Sequence, residues 1–293
     1  MKRICLSLIL IFILTNTIIV FAQDSNIDDP ATNYKTALEL VNANKGMEGV
    51  PYLEKVIKTQ SNYTNAAYSL LGGIYDKAMQ PEKAIAVYKE GLKAYPQDQN
   101  LYFNLGIADF RAKMYADAEL AAIEAIKLDP KHANSQRLYG LVAFHQNKRL
   151  NALLAFCSFL LLEPNGPRSE EATTNMQSIL KGGVLKADVA KVAPADVKET
   201  AAGNAIISAA IASGQAKNLT GTALLEYQLK TIFTQAGMAS AKKVNKGFFD
   251  KFYADYFYKL TQSGNLPAFA KLITNKTDNA ALNDWVKATE RGF

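Results

Sequence analysis

The chain has 293 residues, 49% of them hydrophobic and 20% charged, with a formal net charge of +6. This is the balance of a folded protein of one large or two ordinary domains, long enough to bury a core without disulfides. A charge so small for the length excludes nucleic-acid binding.

Residues 1–22 read as a secretory signal peptide. Lys2 and Arg3 give a basic start, Leu6 to Phe21 form an almost unbroken apolar run, and Val20-Phe21-Ala22 offers small residues for cleavage after Ala22. Polar Gln23-Asp24-Ser25-Asn26 follows at once, and residues 23–30 read as a flexible N-terminus. The alternative is an uncleaved anchor, because a membrane span needs only about 17 apolar residues. Membrane association is therefore possible but not required. Cys5 precedes the apolar run, which does not suit a lipid anchor. The chain is expected to be exported, to a periplasm or to the extracellular space.

Once the signal leaves, Cys157 is the sole cysteine and no internal disulfide can form. Its setting, Leu154-Ala155-Phe156-Cys157-Ser158-Phe159, predicts a small core residue and not a reactive thiol. Residues 23–187 carry 18 basic and 18 acidic side chains, whereas residues 188–293 carry 13 and 9. That surplus is diffuse.

Three sets of residues share a 34-residue step: Pro96, Pro130 and Pro164; Gly72, Gly106 and Gly140; Ala84, Ala118 and Ala152. Such a period marks a repeat architecture. The markers suit a helix–turn–helix unit, in which small residues let two helices approach and proline ends the second. Apolar residues at helical spacing lie between them: Tyr68, Leu71 and Tyr75, then Ala84 and Tyr88. The next unit gives Tyr102, Leu105 and Gly106, then Ala118, Ala122 and Ala125.

These residues resemble the tetratricopeptide repeat, whose pattern is aromatic, Leu-Gly, Tyr, Ala, aromatic, Ala, Pro. The unit from Asn65 supplies Tyr68, Leu71-Gly72, Tyr75, Ala84, Tyr88 and Pro96, with Gly91 in place of the late alanine. The unit from Gln99 has Asp109 for the tyrosine, with Phe110 beside it. The unit from Ala133 has Gln136 and Tyr139 for the aromatic and leucine, and Phe159 for alanine. An earlier, degenerate unit covers about residues 31–64, with Tyr34, Leu38, Leu53 and Val56 but with glycines out of register. About four repeats are thus expected over residues 31–166.

The resemblance implies an all-α fold: a right-handed superhelix of helix–turn–helix repeats, followed here by a helical C-terminal domain. It also implies a concave groove, lined by the first helix of each unit, that holds a peptide or helix of a partner protein. Carried over by position, the groove would include Asp76, Lys77, Phe103, Ile107, Phe110, Arg111, Arg137, Leu141, Phe144 and His145. Phe110-Arg111 and Phe144-His145 take equivalent places, and an aromatic beside a cation suits a peptide with apolar and acidic groups. Equally, these phenylalanines would serve as packing between helices. One subtype of the family clamps a terminal carboxylate with lysines and asparagines. Ser69, Gly73, Phe103 and Ile107 stand at the main clamp positions, so that ligand is not expected.

After Pro164, Asn165-Gly166-Pro167 reads as a turn, residues 168–181 as a helix capping the last repeat, and Gly182-Gly183 as its stop. The capping helix and linker together span residues 167–187, with residues 184–196 read as loop. Residues 188–293 are assigned to the C-terminal domain, with about five helices expected over residues 196–293. Ala201–Ser213 is rich in Ala and Ile and is expected to be buried; Thr220 would cap the next helix. The segment Phe248–Leu260 holds seven aromatic rings and reads as a core element. Two other readings are a stacking platform for a sugar or aromatic ligand, and a membrane-surface helix edged by Lys246, Lys251 and Lys259. Shorter helices follow near Pro267–Ile273 and Ala280–Thr289, the latter with Trp285.

No catalytic signature accompanies this pattern. His132 and His145 lie apart from any Cys or H-E-x-x-H motif, and no phosphate loop, nucleophile elbow or dinucleotide fingerprint occurs. Ser178–Lys181 and Ser240–Lys243 fit S-x-x-K without the K-T-G partner. The expectation is a non-enzyme with no cofactor and no metal, whose partner is a protein or peptide. Its rival is a small-molecule or glycan binder, less readily an enzyme, that uses the aromatic C-terminal helices. Asn62, Asn218 and Asn275 begin N-x-S/T sequons, which matter only in a eukaryotic secretory pathway; the Lys/Asn/Ile-rich usage fits a bacterium.

Overall fold

The computed structural model describes residues 29–183 and 196–289, and every described element is helical. The signal peptide, most of the N-terminal segment and the linker at 184–195 lie outside the described residues. The chain divides into two compact units, Met1–Pro96 and Gln97–Phe293.

The first unit contains α1 (Pro30–Asn42), α2 (Gly46–Thr59), α3 (Thr64–Lys77) and α4 (Pro81–Ala94). Proline begins α1 and α4, where its missing N–H costs nothing and its φ is already helical. Asp29 caps α1 by accepting the Thr32 N–H at 2.8 Å. Each helix pair turns through a Schellman motif. Asn44 and Met79 take left-handed φ values of 59° and 58°. The following Lys45 and Gln80 N–H groups bond back to Leu40 and Tyr75 at 2.8 and 2.9 Å. The core is built from Ala37, Leu53, Val56, Ala67, Leu71 and Ile74.

Within each hairpin a small residue on one helix receives the other. A side chain at Gly72 would run into the Tyr88 ring, and one at Gly49 would meet the Ala37 backbone at 3.3 Å. The degenerate first repeat therefore keeps the device with its residues exchanged: alanine stands on the first helix and glycine on the second.

The second unit opens with α5 (Gln99–Arg111), α6 (Tyr115–Leu128), α7 (Ala133–His145) and α8 (Arg149–Leu162). The same turn recurs at Lys113 and Asn147, with φ of 59° and 56°. Helix α9 (Ser169–Leu180) lies on α8, as a cap must. It closes at Gly182, whose φ is 84°, with the Gly183 N–H returning to Ser178 at 2.8 Å. Five more helices follow: α10 (Val197–Ala216), α11 (Gly221–Ala241), α12 (Asp255–Gln262), α13 (Leu266–Asn275) and α14 (Ala280–Ala288). A π-helical turn, Asp250–Ala254, leads into α12.

One large core cluster in this unit runs from Ala118 and Tyr139 to Phe269 and Leu282. Helix α8 is apolar on every side because it is covered on every side. Its neighbours are α7, α9, α10 and the π turn, and Ala152 through Leu161 are all buried. Cys157 is fully buried there, and burial pushes its thiol pKa far up, so it is the inert core residue expected.

Two expectations need correction. Helix α10 buries only the stripe Gly203, Ile207, Ala210 and Gly214; its other alanines face outward, because α8 and α11 meet one side of it. Thr220 occupies the cap position of α11, but its side chain makes no capping hydrogen bond.

Candidate binding surfaces of the repeats

The ten groove residues fall in both units, each of which stands by itself. In the first, Asp76 is half-buried and Lys77 exposed at the end of α3. Beside Lys77 is an open cavity of about 580 Å³. Val41, Leu70 and Ile74 make its apolar floor, and Lys45, Met47 and Lys77 stand at its exposed edge. Ser69 and Gly73 leave it open: a Cβ on Gly73 would meet nothing nearer than the Tyr88 hydroxyl at 3.9 Å.

In the second unit the aromatic residues pair with histidines. Phe103 meets His132 edge-on with ring centres 5.0 Å apart. Phe110, Tyr115 and His145 form a triangle: Tyr115 stacks on His145 at 5.0 Å, and Phe110 lies edge-on to it at 5.1 Å. Burial pulls the pKa of both histidines down, so both stand neutral at pH 7. His132 also shares a polar knot with Gln99 at 2.8 Å and Ser135 at 2.7 Å. Ile107 and Leu141 are half-buried against the core and Arg111 is exposed.

Two of the ten are already engaged within the protein. Phe144 is 2% exposed and lies edge-on to Phe156, so its ring packs between helices and presents no surface. Arg137 donates to Glu171 Oε2 through Nε and Nη2, at 2.9 and 2.6 Å. It tethers the capping helix and is engaged before any ligand arrives. Tyr115 and His132 were not picked out by position, since one begins a second helix and the other precedes a first helix. Their signal was an aromatic at the turn inside a repeat and an imidazole just before the next one, which the repeat pattern does not record.

The aromatic segment offers no platform at its centre. Phe252 and Tyr256 are 2% and 1% exposed, and Tyr256 packs on Trp285 and Phe257. Phe252, Tyr253, Tyr256, Phe257 and Leu260 are turned inward, leaving Lys251 and Lys259 without an apolar stripe of these residues for a lipid surface. No described helix is long and apolar enough to cross a membrane.

A tetratricopeptide repeat family model matches residues 34–99 and 101–165. Those segments are thus similar to tetratricopeptide repeats, in agreement with the hairpins α1 to α8, and repeats of this kind commonly mediate binding of protein partners. The chain is also similar to Protein O-mannosyl-transferase tmtc2 of Xenopus laevis, with 33% identity over 84 residues. That stretch is 28% of this chain and about a tenth of the relative's length.

Proposed function

We propose that the chain is a non-catalytic adaptor that holds a peptide or helix of a protein partner on the first-helix face of its repeats, outside the cytoplasm. The observation that carries this reading is the open cavity at Ser69, Gly73 and Lys77. Those are positions where the family resemblance places the groove, and an apolar floor with a charged edge is what anchors a side chain of a bound peptide. Export rests on the basic, apolar and small-residue succession of residues 1–22. The tmtc2 similarity is too short to lend that protein's named activity to this chain.

Replacing Gly73 with leucine puts an apolar side chain at the cavity wall, where the nearest atom outside its own helix backbone that a Cβ would meet is the Tyr88 hydroxyl at 3.9 Å. Partners recovered by crosslinking the wild-type chain in the exported fraction should be lost or weakened about tenfold by Gly73→Leu. Unchanged recovery with a folded variant contradicts the assignment of this cavity.

A further inference from the structure

A second opening, of about 350 Å³, lies in the Gln97–Phe293 unit and shares no residue with the ten groove positions. Helices α6, α8, α10 and α11 and the segment entering the π turn surround it. Part of the lining is apolar: Ile123, Ile206, Phe248, Phe249 and Leu120, the last 64% exposed. Part is charged. Lys148 Nζ lies 2.6 Å from Glu119 and 2.8 Å from Asp196. Lys243 Nζ lies 2.9 Å from Glu199 and 3.0 Å from Asp250.

Four carboxylates thus share two ammonium groups, a formal excess of two negative charges. Glu119 and Asp250 are only 9% and 4% exposed, so part of that charge is poorly screened. Neighbouring groups register it. Burial alone would lower the pKa of Lys148, yet Glu119 and Asp196 hold it above the usual lysine range. The buried Tyr139 phenol, which also lines the opening, is pushed well up, first by burial and then by Glu119.

We propose that this recess binds an organic cation: an ammonium or guanidinium group on an apolar body. An anion meets a wall whose lysines are each already bracketed by two carboxylates. A neutral apolar molecule removes water from those carboxylates and gives nothing in return. A cation balances the excess and donates to carboxylate lone pairs that the lysines, Gln146 and the Gly247 N–H leave unused, while its body lies on Phe248, Phe249 and Leu120. The volume is at the small end of ligand sites, roughly 300–1,000 Å³. It suits one aromatic ring or a short alkyl chain. The same chemistry is carried by a free amine and by a lysine or arginine side chain of a partner protein.

Calorimetric titration of the full chain tests this with phenethylamine, its neutral isostere phenethyl alcohol and the anion 3-phenylpropionate. Phenethylamine should bind at least about tenfold more tightly than the alcohol, and the anion should not bind. Glu199→Gln removes one exposed carboxylate and should weaken the amine about threefold. Ala239→Phe places a ring in the opening from an exposed position and should abolish binding at unchanged helix content. Equal affinity for amine and alcohol, or an amine affinity untouched by Ala239→Phe, overturns the proposal. A blocked Phe-Lys dipeptide separates the sources: tighter binding than phenethylamine identifies a partner's side chain, and weaker binding a free amine. The site shares no residue with the repeat groove, so its failure leaves the adaptor reading standing, and the reverse.

Discussion

Gly73 and Gly140 show how unlike two glycines on first helices can be. A methyl group at Gly73 has open space around it, whereas one at Gly140 would sit 2.8 Å from two carbons of the fully buried Phe156 ring. Gly73→Ala should therefore stabilise the chain by up to about 1 kcal/mol through helix propensity. Gly140→Ala should cost about 1–2 kcal/mol, because overpacking outweighs that gain. Denaturant midpoints of the two variants check the sign of each. His145 gives a pH dependence. Its folded-state pKa lies below 6.5 because it is buried between Phe110 and Tyr115, so below about pH 6.5 the unfolded chain binds a proton that the native chain refuses. Stability should fall as pH drops from 7.5 to 5, and His145→Phe should show a smaller fall in the same urea titrations.

At the scale of elements, α7 departs from the repeat pattern where it receives the C-terminal helices. Tyr253 stacks on Tyr139 at 5.5 Å and donates a 2.5 Å hydrogen bond to Gln136 Oε1. Gln136 donates in turn to the Pro130 carbonyl, and the Tyr139 hydroxyl accepts from Asn151. The two positions that looked like repeat degeneracy are thus docking residues. Tyr253→Phe removes the hydroxyl and strands the buried Gln136 oxygen, which should cost about 1–3 kcal/mol. Thermal unfolding checks this, and an unchanged midpoint would mean that stacking alone holds the contact. The π turn gives the aromatic segment its spread: the wider turn shifts Phe252 and Tyr253 relative to Tyr256 and Phe257, and all four rings are buried.

Over the whole molecule, the repeats were legible because proline, glycine and alanine act through backbone geometry, which leaves a fixed residue type at a fixed step. The first repeat was harder to align because Ala37 and Gly49 exchange the usual residues and stand 35 residues before Gly72 and Ala84, not 34. Two of the four hairpin turns carry the asparagine that signals a left-handed residue, Asn44 and Asn147, whereas Met79 and Lys113 take the same conformation without a signal by residue type. Among site residues, position alone could not tell Phe110, which meets Tyr115 and His145, from Phe144, which α8 covers. Nor could it show that Arg137 is held by Glu171, a residue outside the repeats. Neither the compact division at Pro96/Gln97 nor the contacts of α8 with α9, α10 and the π turn follow from the 34-residue period.

Site-specific photo-crosslinking measures the central claim most directly. A crosslinkable residue is placed at Lys77 or Arg111 on first helices, or at Lys89 or Lys127 on second helices, all four exposed. The adaptor reading expects one protein partner captured from the first pair of positions and not from the second. Capture from Lys89 or Lys127 alone would contradict it and move the binding surface to the other face of the repeats.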